Sequence, residues 1–395
     1  MTSLLGNVRV VELGQVIAGT VGGMILADLG ADVIKVERPQ GDPGRRSAVY
    51  GIGDESAIHL TLNRNKRSVA LDLKSEAGRA ILLDLVARAD AVIENFRPGV
   101  LERLGVGFDE LRAVNPSLVL VSVNGFGADS PYRDFPAYDL IMQAMSGHMS
   151  IMGEPGRPPV IMGIPLADLI AGVYSSIAVL AGLVGRGQTE GATHFDLAML
   201  DVMVSMLAHV GSLHLNTGME QEPQGSSHPF ITPWQAFRCA DGRYVVVAPR
   251  EEHFWERLCD CLALEELKRP EYADAVSRQR HRRVLLPVLE AAFEERSSEE
   301  WLVRLRDAGV PVAPVNNLAE IFSDPHVEQR DMVAAYDLDG RTIRVVGDPF
   351  TIVGQSKRSP RAAPAIGADT DDVLLHDLGY DRDEVDRLRN DSVVA

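Results

Sequence analysis

The chain is poor in cysteine, in aromatic residues and in positive charge, and these shortages remove whole classes of protein. Cysteine occurs only at Cys239, Cys259 and Cys261 in 395 residues. An odd, sparse set builds no disulfide framework and fits a reducing, cytoplasmic setting. Cys259 and Cys261 are too closely spaced for the usual zinc pair, and the histidines form no H-E-x-x-H or H-x-H motif, so no metal is expected. Lysine and arginine total 39 against 56 aspartates and glutamates, a net charge of −17. That acidic excess argues against nucleic acid, and against an anionic membrane surface, as a main partner. No basic segment precedes an apolar stretch near Met1, so no secretory signal is expected. The most apolar long stretch, Leu166 to Gly185, carries Asp168, Ser175 and Ser176 and reads as a buried core helix rather than a membrane span. Two catalytic signatures are missing as well. No G-x-S-x-G elbow supports a serine hydrolase. Gly14, Gly19, Gly22 and Gly23 lack the G-x-G-x-x-G spacing that brings a backbone close to a pyrophosphate, which disfavours an NAD-dependent dehydrogenase.

What is present begins with an alternation. Val8–Leu13, Ala31–Glu37, SVALDL, AVIENF and LVLVSVNGFG are apolar, β-branched runs, and helix-like stretches separate them at Thr20–Leu29, Ser75–Ala89 and Pro98–Leu104. Repeated βαβ units imply a parallel, Rossmann-like α/β sheet covered by helices. Helices are expected at Tyr138–Met149, Leu166–Gly185 and Leu197–Asn216. Residues 1–218 thus read as the first part of a large α/β domain and 219–233, rich in Gly, Pro, Gln and Ser, as a linker. Residues 234–316 read as a smaller α+β domain with the strand YVVVAP. Residues 317–395 read as a linker and a return to the large domain, with short strands at TIRVV and FTIV and two short acidic helices after Asp369.

Positive charge is scarce but local. Arg38, Lys66, Arg67, Lys74, Arg97 and Arg103 fall near strand ends, where an open α/β sheet forms its ligand crevice. Such a crevice suits an anionic, phosphate-bearing small molecule. The basic run from Arg278 to Arg283 reads as an exposed helix face. Asp168 follows Pro165 in the first turn of an apolar helix. The helix N-terminus favours its ionised form, and apolar neighbours would leave it poorly hydrated and nucleophilic. Simple stabilisation of the helix end explains the same placement without chemistry.

The motifs VVELGQVIAG, LGADVIKVERPQGD, NRNKRSVALDLK, VIENFRPGVLERLG, PAYDLIMQAMSG and GIPLADLIAG, taken together and in order, resemble the class III CoA-transferases, the formyl-CoA transferase and carnitine CoA-transferase (CaiB/BaiF) family. The resemblance implies that Asp168 is the covalent nucleophile. It implies that Ala18, Arg38, Leu71, Lys74, Asn95, Phe96 and Arg103 receive coenzyme A, which is a substrate and not a resident cofactor. Gln15, and Tyr138 with Asp139, would stand beside the nucleophile. Gly225 to Pro229, with His228 where formyl-CoA transferase has a glycine, would be the loop over the site. Gln15 and Ile17 also depart from formyl-CoA transferase, which points away from formate and oxalate; with nearby cations such as Arg133, succinyl-CoA and a small dicarboxylate are the expected pair. The family's interlocked, ring-like homodimer is expected too. The same fold hosts α-methylacyl-CoA racemases. Those place a histidine where this chain has Tyr138, whose phenol is a poor acid–base group at neutral pH. A non-catalytic acyl-CoA-binding protein is the third reading, and the intact Asp168 argues against it.

Overall fold

The computed structural model describes residues 3–46, 51–188 and 191–395. The chain divides into two compact units, one of residues 1–147, 162–211 and 325–395, the other of 148–161 and 212–324. The sequence-based boundaries at 218 and 316 therefore differ from these, and residues 148–161 fall in the second unit. Helical composition alone does not say which core a helix joins.

In the first unit, six strands form the main sheet, the first five from apolar runs: β1 (Arg9–Glu12), β2 (Asp32–Glu37), β3 (Arg67–Ala70), β4 (Ala91–Glu94), β5 (Val119–Asn124) and β6 (Thr193–Ala198). All pair in parallel, in the order β3-β2-β1-β4-β5-β6. This is the doubly wound order, with its topological switch between β1 and β4. Side chains alternate between two cores. Val11, Ile34, Val36, Val69, Val92 and Leu120 face one core; Val10, Val33, Ile93, Val119 and Val121 face the other. Helix α1 (Ala18–Asp28) lies on the second face and α2 (Glu76–Val86) on the first. Then come α3 (Asp139–Met145), α4 (Leu166–Val184) and α5 (Met199–Met206).

Helices α1 and α4 meet through glycines. A Cβ on Gly22 would lie 2.0 Å from Ser175 Oγ, and one on Gly172 would lie 2.3 Å from Val21 Cβ. Only bare Cα atoms permit that approach. The outward side of α4 is less covered than its composition implied: Val173, Ile177 and Val184 are exposed. By length and composition α4 could cross a membrane, yet Ala167, Ala171, Gly172, Ser175, Ser176 and Val179 are buried within this unit. The returning chain closes the outer edge of β3. Ser68 N–H donates to Asp369, Ala70 N–H to Thr370 Oγ1, and Leu71 bridges Val394.

Four expectations need correction. Leu197–Asn216 is not one helix: strand β6 takes its start, and Ala208, in the left-handed region at φ 45°, separates α5 from a helix over Ala208–Thr217. FTIV, after Pro349, is irregular and exposed. Lys66 and Arg67 line no open crevice: Lys66 is buried on Glu12, and Arg67 pairs with Asp32 and Asp377. Arg278 is buried in the second unit, donating to Glu252 at 2.7 Å and lying 4.9 Å from the Trp255 ring centre. A run of basic residues cannot reveal the acid and the ring that receive one of them.

The second unit holds an antiparallel sheet of β7 (Gln235–Arg238), β8 (Tyr244–Val247) and β9 (Val312–Pro314), ordered β9-β8-β7. Helices Glu252–Leu262, Arg282–Phe293 and Ser298–Asp307 supply much of its core, around Trp255, Phe293 and Trp301.

Candidate active site

The turn from β1 to α1 lies at the switch point and is held by buried charges, of which sequence reading singled out Lys66 alone. Glu12 and Lys35 end up fully buried on adjacent strands. Lys35 Nζ donates to Gly14 O at 2.7 Å and contacts Asp42 at 2.8 Å and Glu12 at 3.3 Å. Lys66 Nζ reaches both Glu12 oxygens and Thr20 O, and burial pulls its pKa down to about 8. Asp42 in turn accepts the N–H of Val16. Val16 sits at φ 56°, a strained conformation for a β-branched residue. Thr20 Oγ1 donates to its carbonyl at 2.7 Å. Gly14 and Gly19 are required here because a Cβ on Gly14 would come within 2.0 Å of Gly19 O and one on Gly19 within 2.7 Å of the Gly14 Cα. The signal was present in the sequence: Glu12 and Lys35 are charges inside otherwise apolar strands.

Gln15 and Asn95 clamp neighbouring turns together. Gln15 N–H donates to Asn95 Oδ1 at 2.7 Å, and Asn95 Nδ2 donates back to Gln15 O at 3.1 Å. Phe96 follows, its N–H donating to Glu94 Oε2 at 2.7 Å. Glu94 was not foreseen. Burial pushes its carboxyl up to about 7, and it hydrogen-bonds Ser122, whose hydroxyl contacts His194. Ala18 opens α1 and is buried, and Leu71 is buried just past β3. Arg38, Lys74 and Arg103 are exposed after β2, β3 and β4 respectively. Arg38 Nε donates to Gly41 O at 2.8 Å. The residues from Gln15 to Arg103 thus all follow the carboxyl ends of β1 to β4.

Asp168 lies half-buried in the first turn of α4. Asp139, at the start of α3, caps that turn from outside the helix. Its Oδ1 accepts the N–H of Ala167 at 2.7 Å and of Asp168 at 3.3 Å. Gln143, one turn along α3, donates to Asp139 Oδ2 at 2.6 Å and accepts Met162 N–H at 2.9 Å. Tyr138, just before Asp139, is 74% exposed. Burial, and then the Asp139 charge, push Asp168 up to about 7. Burial and the like charge thus work against the helix terminus, which favours the ionised form.

The second unit holds the segment from Gly225 to Pro229. Gly225 adopts φ 60° and donates its N–H to Gly153 O, and a Cβ there would meet the Glu154 carboxylate at 2.6 Å. His228 stacks on Trp234 at 5.1 Å between ring centres, and its N–H donates to Trp234 O. Gln279 Nε2 donates to Pro229 O at 2.8 Å. The loop is thus tied to its own unit at several points.

The chain matches CoA-transferase family III across residues 5–370. It is 35% identical over 379 residues to the succinate–glutarate CoA-transferase of Agrobacterium fabrum, covering 94% of each chain. It is 38% identical over 371 residues to the succinyl-CoA:mesaconate CoA-transferase of Haloarcula marismortui, covering 92% of each. A crystal structure of a CaiB/BaiF family protein from Brucella suis superposes with a TM-score of 0.84 at 34% identity, covering 95% of this chain and 99% of that one.

Proposed function

We propose, from the premise that the chain belongs to CoA-transferase family III, that it transfers CoA from succinyl-CoA to a small dicarboxylic acid through covalent intermediates on Asp168. The observation that carries the reading is the Asp168 carboxylate itself, poorly solvated in the first turn of an apolar helix. In such a setting a carboxylate is a competent nucleophile toward an activated carbonyl. Asp168 attacks the donor thioester, giving a mixed anhydride and CoA thiolate. The thiolate attacks the Asp168 carbonyl, leaving an enzyme-bound thioester and freeing the donor acid. The acceptor carboxylate then reverses the sequence. Thioester energy is carried throughout, so the exchange needs no external energy source.

Arg38, Leu71, Lys74, Asn95, Phe96 and Arg103 together hold the adenine, ribose and phosphates of CoA in this reading. Ala18 leaves room for the thioester, and Gln15 and Tyr138 flank the reacting carbonyl. The succinyl donor and dicarboxylate acceptor are supported by the activities named for the Agrobacterium and Haloarcula relatives. We further place the enzyme in the cytosol as an interlocked homodimer. The exposed apolar side of α4, at Val173, Ile177 and Val184, supports a partner surface there.

Mixing enzyme with succinyl-CoA, trapping with hydroxylamine or borohydride and mapping peptides by mass spectrometry tests the chemistry. Modification confined to the Asp168 peptide, and absent from Asp168→Asn, is expected. Racemisation of a 2-methylacyl-CoA with no trapped adduct would overturn the transferase mechanism. Light scattering tests the assembly, and a fully active 43 kDa monomer would refute it.

A further inference from the structure

We propose that Asp139 is a positioning residue that both fixes the first turn of α4 and, by its charge, favours the acylated form of Asp168 over the free carboxylate. The proposal rests on the reading of Asp168 as the nucleophile. Its geometric basis is the cap: one oxygen of Asp139 accepts the N–H of Ala167 and of Asp168 itself, and the other is held by Gln143. Gln143 is almost fully buried and anchored by Met162 N–H, so the Asp139 carboxylate is fixed in position. A second negative charge is thereby held against the turn that carries the first.

The consequence follows from the charge balance of the exchange. The donor C–S bond breaks as an Asp168 oxygen bonds to the acyl carbon. The thiolate then forms a new C–S bond to the Asp168 carbonyl, and the donor acid departs as a carboxylate with that oxygen. No net proton or electron is exchanged. Asp168 is negative only before the first step and after the last; as anhydride and as thioester it is neutral. A fixed neighbouring anion therefore destabilises the free carboxylate relative to both covalent states. It raises the affinity of Asp168 for a proton for the same reason, adding to the rise that burial causes.

The other charges on elements packed against α4 do not offset it. Asp28 of α1 pairs with Arg64. Asp196 of β6 accepts from Asn124 and Ala128, and His194 bonds Ser122 and lies tilted against the Phe108 ring. Asp201 of α5 is exposed. Of the charges on these elements, Asp139 is the one bonded directly to the first turn of α4.

Asp139→Asn keeps the size and an acceptor oxygen and removes the charge; Asp139→Glu keeps the charge. Each is incubated with succinyl-CoA and succinate at fixed ratio, and the fraction of enzyme carrying CoA is read by intact mass. The pH profile of kcat/KM is recorded alongside. For Asn, the ratio of CoA-bearing to free enzyme should fall about tenfold and the acid limb should move down by about one pH unit. For Glu, both should stay with the parent. A ratio and an acid limb unchanged in the Asn variant would overturn the proposal, since a purely structural cap predicts that result. If the Asn variant does not fold, a Glu variant that folds but loses the parent's ratio and limb overturns it equally. A parent that forms no Asp168 adduct would instead overturn the nucleophile reading beneath it.

Discussion

Replacing Asp168 by Asn should stabilise the folded protein while abolishing transfer, and the gain should depend on pH. Asp168 titrates at about 7 in the folded chain against 3.8 for an ordinary carboxyl. A folded-state pKa above the unfolded one means that the native state holds the proton more tightly. The associated stability is complete below about pH 4 and is lost as pH rises through 7. Some three units at about 1.4 kcal/mol each give about 4 kcal/mol, and solvent screening of a half-buried group reduces this to about 2–4 kcal/mol. Asparagine has no proton to lose, so parent and variant should diverge across that window. For a chain of this size the divergence corresponds to about 2–5 °C in Tm. Thermal scans of both proteins at pH 4.5, 6 and 8 read it directly. A gap between the two that stays constant with pH, or a variant less stable than the parent at pH 8, would refute the argument.

Glu12→Gln should destabilise the fold by about 3–5 kcal/mol in urea titrations, because it leaves Lys35 and Lys66 buried with less opposing charge. Gly22→Ala should lower Tm by driving a Cβ onto Ser175 Oγ. Ser175→Ala in the same chain should recover part of the loss, so the two changes will not add. Arg38→Ala and Lys74→Ala should each raise KM for succinyl-CoA several-fold at low salt and by less at 0.5 M salt; an effect insensitive to salt would move the phosphates elsewhere.

The parallel sheet was legible because its strands are continuous β-branched runs bounded by glycine and charge. The exception, β6, alternates: Thr193, His194, Phe195 and Asp196 resemble a surface segment, and half-exposure on a sheet edge is what they have. Asp168 stood out because one acid in a long apolar helix is conspicuous in any window. Asp139 looked like an ordinary helix start, because its capping target lies 28 residues away across the chain. Lys66 read as a free cation because Glu12, its partner, lies 54 residues earlier. Local pattern fixes the elements and long-range pairing decides which charges remain free. That second fact is three-dimensional.

The closure of β3 by the returning chain has a consequence for how the molecule is made. Ser68 waits for Asp369, 301 residues downstream, and Leu71 for Val394. At roughly 5–20 residues per second, translation leaves the outer edge of β3 uncovered for about 15–60 s after its residues emerge. During that interval the second unit is synthesised in full, whereas the first still presents an unpaired strand edge, the feature most prone to join another nascent chain. The parallel sheet is thus among the last parts to be finished, and chaperones have their longest opportunity there. Ribosome-bound chains stalled before residue 367 should bind Hsp70-type chaperones through peptides around β3, and release them once stalling is moved beyond residue 395 by the length of the exit tunnel.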